Sequence, residues 1–226
     1  MASNERNPQY YPSLARTLFK TLVELADETG AQFDSINLSG GIGIPYRDGE
    51  KEIDIEFIGK AVEREYQQTL RSSGRGDIAI HTELGRWLLG PAGCLVSRVI
   101  HEKHIYKDYL GLDACAANLL RPAMYGAWHE IQVSGKENDA PVKLWDVTGG
   151  LCENNDKFAI DRLLPEVGIG DLVVIHDAGA HCFSMGYNYN GKLRSAELLL
   201  KEDGSVQMIR RAETPTDYFA TLDISD

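Results

Sequence analysis

The sequence predicts an α/β part followed by an all-β part. Residues before about 90 alternate amphipathic helical stretches with short apolar strands, as parallel sheets do. From about Leu95 onward, short β-rich stretches follow one another with turn signals between them. The run Gly90-Pro91-Ala92-Gly93 separates the two patterns, so the expected domains are residues 1–92 and 93–226.

Taken in order, Leu14, Leu18, Leu22 and Leu25 recur at helical spacing with Val23 beside them, and Gly30 follows as a left-handed stop; an amphipathic helix is expected. Phe33 to Leu38 reads as a strand that hands over to the loop Ser39-Gly40-Gly41-Ile42-Gly43. A second helix is expected from about Ile53 to Leu70, with Ile55, Ile58, Val62 and Tyr66 on one face. Ile78-Ala79-Ile80 is a short strand ending at Thr82-Glu83-Leu84-Gly85-Arg86. The second part predicts strands at 94–100, 109–113, 142–147, 171–175 and 195–200 in an antiparallel β domain, and Asn188-Tyr189-Asn190-Gly191 reads as a hairpin turn.

Of 226 residues 34 are acidic and 23 basic, a net charge of −11, and 43% are apolar. That composition excludes disordered and collagen-like chains and offers no basic footprint, so neither nucleic acid nor an anionic membrane is an expected partner. No apolar run reaches the ~20 residues of a membrane span, and Met1-Ala2-Ser3-Asn4-Glu5 has no leader character, so the expected location is cytoplasmic. Cys94, Cys115, Cys152 and Cys182 lie far apart with no C-x-x-C pair, which points to neither a zinc knuckle nor a redox dithiol. His101-x-x-His104 and the His176, His181 pair come nearest to metal-ligand spacing, but in β-rich sequence residues i and i+3 face opposite sides, and no metal is expected.

Four motifs carry possible chemistry, each with a plain alternative. Ser39-Gly40-Gly41 at a strand end suits backbone N–H donation to a phosphate, and reads equally as a tight turn. Glu83, Gly85 and Arg86 follow the next strand and join an acid to a forked guanidinium; the alternative is a glycine turn with a surface ion pair. Arg121-Pro122-Ala123-Met124-Tyr125 sets an arginine and a phenol four residues apart, for a carboxylate or for interface packing. Cys152-Glu153-Asn154-Asn155-Asp156 sets a thiol among carboxylates, as a proton donor or amine binder, or as a solvated loop.

In this order, from Asn4 to Pro215, the segments resemble the pyridoxal phosphate-dependent decarboxylases of the alanine racemase-like fold, and among them the diaminopimelate decarboxylases. The resemblance implies the carboxyl-terminal part of a (β/α)8 TIM-like barrel, followed by an antiparallel Greek-key β-barrel or sandwich. It implies that Gly40 and Gly41 donate to the cofactor phosphate, that Glu83 bonds the pyridine nitrogen, and that Gly85 and Arg86 serve the phosphate and the substrate carboxylate. It makes Arg121 and Tyr125 carboxylate ligands, Cys152 the proton donor, and Glu153 a binder of the substrate's distal end, with Cys152 and Glu153 supplied across a homodimer interface. Tyr189, in the late Tyr189-Asn190 pair, is placed near cofactor and substrate. Ser39, Leu84 and His181 depart from the family's glycine, proline and frequent tyrosine, and none of these changes removes a key role.

The family's Schiff-base lysine lies in an amino-terminal segment with no counterpart here. The expected activity, decarboxylation of meso-2,6-diaminopimelate to L-lysine, therefore needs that missing half. The alternatives are a non-catalytic dimerising or regulatory homologue, and a decarboxylase of another basic amino acid such as carboxynorspermidine or ornithine. A binding-only module has no need of all of Glu83, Arg86, Arg121, Tyr125, Cys152, Glu153 and Tyr189.

Overall fold

In the computed structural model, which describes residues 3–223, helix α1 spans Tyr10–Thr29 and ends at Gly30, whose left-handed φ of 72° lets its N–H return to the Ala26 carbonyl. Met1 and Ala2, read above for leader character, lie outside the described residues. The chain divides into two compact units, Met1–Pro91 and Ala92–Asp226.

In the first unit the buried stripe of α1 is Tyr11, Ala15, Phe19, Leu22 and Ala26, one position round from the expected leucine face; Leu25 is exposed. The small side chains of Ala15 and Ala26 permit close approach, and Phe19 packs edge-on against Tyr66, with ring centroids 6.4 Å apart. Helix α2 (Ile55–Tyr66) begins at Asp54, whose carboxylate accepts the Phe57 N–H at 2.9 Å, and runs into a wide π turn at Gln67–Arg71. A bidentate fork from Arg16 to the largely buried Glu65 ties α1 to α2. Strands β1 (Ser35–Asn37) and β2 (Ala79–His81) pair in parallel, Ile36 opposite Ile80, and the short helix α3 (Gly85–Leu89) follows β2. Around them Phe19, Leu38, Leu70, Ile42 and Ile58 form one apolar cluster. Each such burial contributes about 1.5–3 kcal/mol.

The second unit is organised by one six-stranded sheet. Its strands are β3 (Leu95–His104), β4 (Asp108–Leu112), β5 (Ile131–Val133), β6 (Lys143–Thr148), β7 (Lys157–Leu164) and β8 (Leu172–Ile175), in the order β5-β8-β3-β4-β6-β7. The expectation of an antiparallel domain is corrected at one place: β4 and β6 run parallel, whereas the other neighbours in the sheet are antiparallel. After β4 the chain crosses through residues 113–130, with helix α4 (Arg121–Tyr125), to pair β5 with β8 before it returns beside β4. The core of this sheet comprises Val99, Leu110, Leu119, Val147, Val173 and Ile175, all fully buried.

Strand β7 escapes the sequence reading because Asp161 stands at φ 49° and breaks its alternation. The Asp161 N–H bonds the carboxylate of Asp146, which also meets Lys107 at 3.1 Å and Lys157 at 3.2 Å. Burial pushes the Asp146 carboxyl up, but that amide and the two ammonium groups outweigh it and hold the group below its ordinary value. A separate antiparallel pair, β9 (Glu197–Leu200) and β10 (Val206–Arg210), leaves Leu198, Leu200 and Met208 exposed, and helix α5 (Pro215–Phe219) follows.

Candidate functional site

The first set of candidate residues lies where β1 and β2 end. Because the strands are parallel, both hand over to their loops at the same edge, and the ladder continues through Leu38 N–H to the His81 carbonyl and Glu83 N–H to the Ser39 carbonyl. Asn37 joins the two loops: its Oδ1 accepts the Ser39 N–H and its Nδ2 donates to Glu83 Oε1, both at 2.6 Å. Ser39 sits at φ 64°, and its carbonyl also accepts the Tyr11 hydroxyl. Burial pushes that phenol up, with the Glu83 charge adding to the effect. A Cβ on Gly40 would lie 2.2 Å from the Glu83 carbonyl oxygen, so only glycine lets the loops close.

Gly41, at φ 103°, offers its carbonyl to the Glu5 N–H. Among the described residues the N–H groups of Gly40 and Gly41 enter no protein hydrogen bond. Gly85 opens α3, and Arg86 reaches Ser3 Oγ at 3.0 Å with its guanidinium 5.9 Å from the Tyr46 ring centre. The structure therefore brings Gly40, Gly41 and Glu83 to one place, adds the unforeseen Asn37, and gives Arg86 a separate anchor. Motif patterning gives Asn37 no role; its position two residues before Ser39 at a strand end is the available signal. Glycine amides, a guanidinium and an oriented carboxylate suit a ligand that carries both an anionic group and a protonated ring nitrogen.

The second set lies in the other unit. Arg121 starts α4 and is 5% exposed; its Nη1 donates to His129 Nε2 at 2.7 Å, and His129 Nδ1 contacts the His176 carbonyl at 2.8 Å. A guanidinium only donates and a carbonyl only accepts, so His129 carries its proton on Nδ1. Tyr125, four residues on, is exposed at 64%. Arg121 is thus buried while Tyr125 is open to solvent. An opening of about 230 Å³ between α4 and β7 is lined by Pro122, Trp128, Lys157 and Arg162 among others, and Arg162 lies 3.4 Å from the Trp128 ring centre.

Cys152 and Glu153 are exposed on the loop between β6 and β7. The Cys152 N–H donates to Asn190 Oδ1 at 3.0 Å, so this loop and the Tyr189 turn meet. That turn, Tyr189–Gly191, has Asn190 at φ 55° and Gly191 at φ 68°, but extended strands do not flank it; the hairpin expectation is corrected to a free-standing turn. Residues 186 to 196 instead follow side-chain anchors, Asn188 to Glu213 at 2.8 Å and Arg194 N–H to Glu213 at 2.8 Å, which leave no alternating pattern to read.

Residues 20–179 match the family described as pyridoxal-dependent decarboxylase, C-terminal sheet domain. The chain is 42% identical over 218 residues to Protein TabA of Pseudomonas amygdali pv. tabaci, covering 96% of this chain and 51% of that protein. It is 38% identical over 211 residues to the diaminopimelate decarboxylase of Methanothermobacter thermautotrophicus, covering 93% of this chain and 49% of that protein. A solved diaminopimelate decarboxylase from M. jannaschii, in complex with L-lysine, is similar at a TM-score of 0.87 and 30% identity over 100% of this chain and 51% of that one. The chain spans about half the length of the curated relatives it matches. Among the described residues no helix is long and apolar enough to cross a membrane. The match over most of the sheet unit and much of the first, with a fold shared at this level, means that the chain belongs to the pyridoxal-dependent decarboxylase family.

Proposed function

We propose that the chain is the carboxyl-terminal part of a cytoplasmic, homodimeric decarboxylase that converts meso-2,6-diaminopimelate to L-lysine and carbon dioxide with pyridoxal 5'-phosphate. The observation that carries this reading is the strand-end cluster in which Asn37 aims the Glu83 carboxylate beside the Gly40-Gly41 loop. Residues 1–92 then form part of the cofactor-binding (β/α)8 barrel, and residues 93–226 form the β domain. Gly40, Gly41, Gly85 and Arg86 would hold the phosphate, Glu83 the ring nitrogen, and Tyr189 would flank both cofactor and substrate. The cofactor, when bound, supplies an electron sink for the pair left as carbon dioxide departs.

The chain's own residues bind, orient and protonate. Arg86, Arg121 and Tyr125 hold carboxylates and so fix which bond breaks, with Arg121 in turn held by His129. Glu153 takes the substrate's distal end, and the Cys152 Sγ–H carries the proton that replaces the lost carboxylate. The exposure of Cys152 and Glu153 agrees with delivery into the partner protomer's site.

The test is lysine formation from meso-diaminopimelate with pyridoxal phosphate added, by the chain alone and co-expressed with the part of a full-length relative that it does not match. Lysine only on co-expression is the expected result. No lysine from soluble protein containing both parts would overturn the reading. A second reading keeps the chemistry and changes the substrate to another basic amino acid. Carboxynorspermidine and ornithine in the same assay separate the two.

A further inference from the structure

We infer that Asp156 and Asn190 are positioning residues that clamp the Cys152-Glu153 segment against the turn carrying Tyr189. The inference rests on the decarboxylase reading only for what Cys152 and Glu153 do; the clamp itself stands on geometry. Asp156 is 3% exposed, and its carboxylate accepts two backbone N–H groups, Ala116 at 2.7 Å and Leu151 at 2.6 Å. Its own backbone closes the same loop, N–H to the Glu153 carbonyl at 3.1 Å and carbonyl from the Gly149 N–H at 3.0 Å. A Cβ on Gly149 would lie 2.4 and 2.5 Å from the Asp156 oxygens and 2.6 Å from Cys115 Cα, so the loop is drawn tightly onto this one side chain. Burial pushes the Asp156 carboxyl up, while the Leu151 and Ala116 amides pull the other way.

From the other side, Asn190 Oδ1 takes the Cys152 N–H at 3.0 Å. The Asn190 turn is itself fixed, because Asn188 Nδ2 donates to the Lys192 carbonyl at 2.9 Å and to Glu213 at 2.8 Å. Ordering an exposed loop costs backbone entropy at every residue, so an exposed thiol stays in place only where such bonds offset that cost. Acceptance of two backbone N–H groups by one buried side chain is the stronger of the two holds. A thiol that transfers a proton to carbon depends on such placement, since a shift of about 1 Å can cost a hundredfold in rate.

The test compares Asn190→Ala, Asn190→Asp and Asp156→Asn by residue-resolved amide hydrogen exchange on the chain. Asn190→Ala is expected to speed exchange of the Cys152 amide at least tenfold and leave the Leu151 amide little changed. Asn190→Asp, which keeps the acceptor oxygen, restores it. Asp156→Asn speeds Leu151 and Ala116. In the co-expressed decarboxylase, Asn190→Ala lowers kcat at least fivefold, and Asn190→Asp returns it to within twofold. Unchanged Cys152 exchange in Asn190→Ala would overturn the clamp. Faster exchange with unchanged kcat and KM would overturn the positioning role. If the unsubstituted complex makes no lysine, the decarboxylase reading fails and the exchange data alone decide the clamp.

Discussion

The two units hold their candidate site loops by different physical means. In the first, the sheet is two strands of three residues each, and the loops take their shape from backbone constraints: Ser39 and Gly41 at positive φ, and Gly40 against the Glu83 carbonyl. In the second, a six-stranded sheet supplies the rigidity, and side chains shape the loops: Asp146 pins the β7 bulge and Asp156 gathers residues 149–156. The difference teaches where each unit is vulnerable. Adding a methyl group breaks the first site, and removing a carboxylate breaks the second.

The largest effects test whether the two cores are separate. Phe19→Ala removes a fully buried ring from the first unit and is expected to cost about 3–5 kcal/mol; Leu110→Ala in the second costs about 2–5 kcal/mol. Hydrogen exchange should rise in the unit that carries each substitution, and a rise spread evenly over both would break the comparison. Next comes Gly40→Ala, which places a Cβ on the Glu83 carbonyl and is expected to cost about 1–3 kcal/mol by denaturant unfolding. Cofactor affinity, read by pyridoxal phosphate absorbance, should fall with it. Gly85→Ala, at a position with open space around it, should leave stability within about 0.5 kcal/mol.

Smaller and directional are the pH effects of the two buried carboxyls in the sheet unit. Asp146 is held below its ordinary value when folded, so its stabilisation is present above the unfolded pKa of about 3.9 and is lost as pH falls through the folded value. Asp156 is raised, so its contribution is full below about 3.9 and is lost as pH rises through the folded value. Urea unfolding of the unsubstituted chain and Asp156→Asn across this range should show the chain losing ground to the variant as pH rises; a difference that stays flat contradicts the assignment. The smallest effect concerns thiols. Burial pushes Cys182 up to about 11 and raises Cys115, whereas Cys94 and Cys152 are exposed. Mild alkylation near neutral pH should therefore label Cys94 and Cys152 first.

How much of this could be read beforehand differs between the units for the same reason. In the first, helices and strand ends follow from periodicity and glycine placement, and Gly40, Gly41 and Glu83 fall together because parallel strands end at one edge. What periodicity missed there is the facing of α1, since Ala15 and Ala26 carry little hydrophobic signal although they mark the contact. In the second, β4 and β6 pair in parallel through a long crossover that no local pattern encodes. Strand β7 is hidden by its own bulge at Asp161, and β5 is only three residues long. Cys152-Glu153 and Tyr189 were readable as motifs, but their meeting through Asn190 is a tertiary fact. So is the burial of Arg121 on His129, since the motif offers a carboxylate site or interface packing and no histidine partner.

The most direct test of the account, in which each unit contributes one indispensable group, is pyridoxal phosphate-dependent turnover of meso-diaminopimelate by the co-expressed complex carrying Glu83→Gln or Cys152→Ser. A positioned proton-transfer group contributes about 10²–10⁴-fold, so Cys152→Ser is expected to lower kcat by at least about a hundredfold. Glu83→Gln, which removes the carboxylate that Asn37 orients, should lower kcat comparably. Turnover that persists within a few-fold in either variant, from folded protein with cofactor bound, would contradict it.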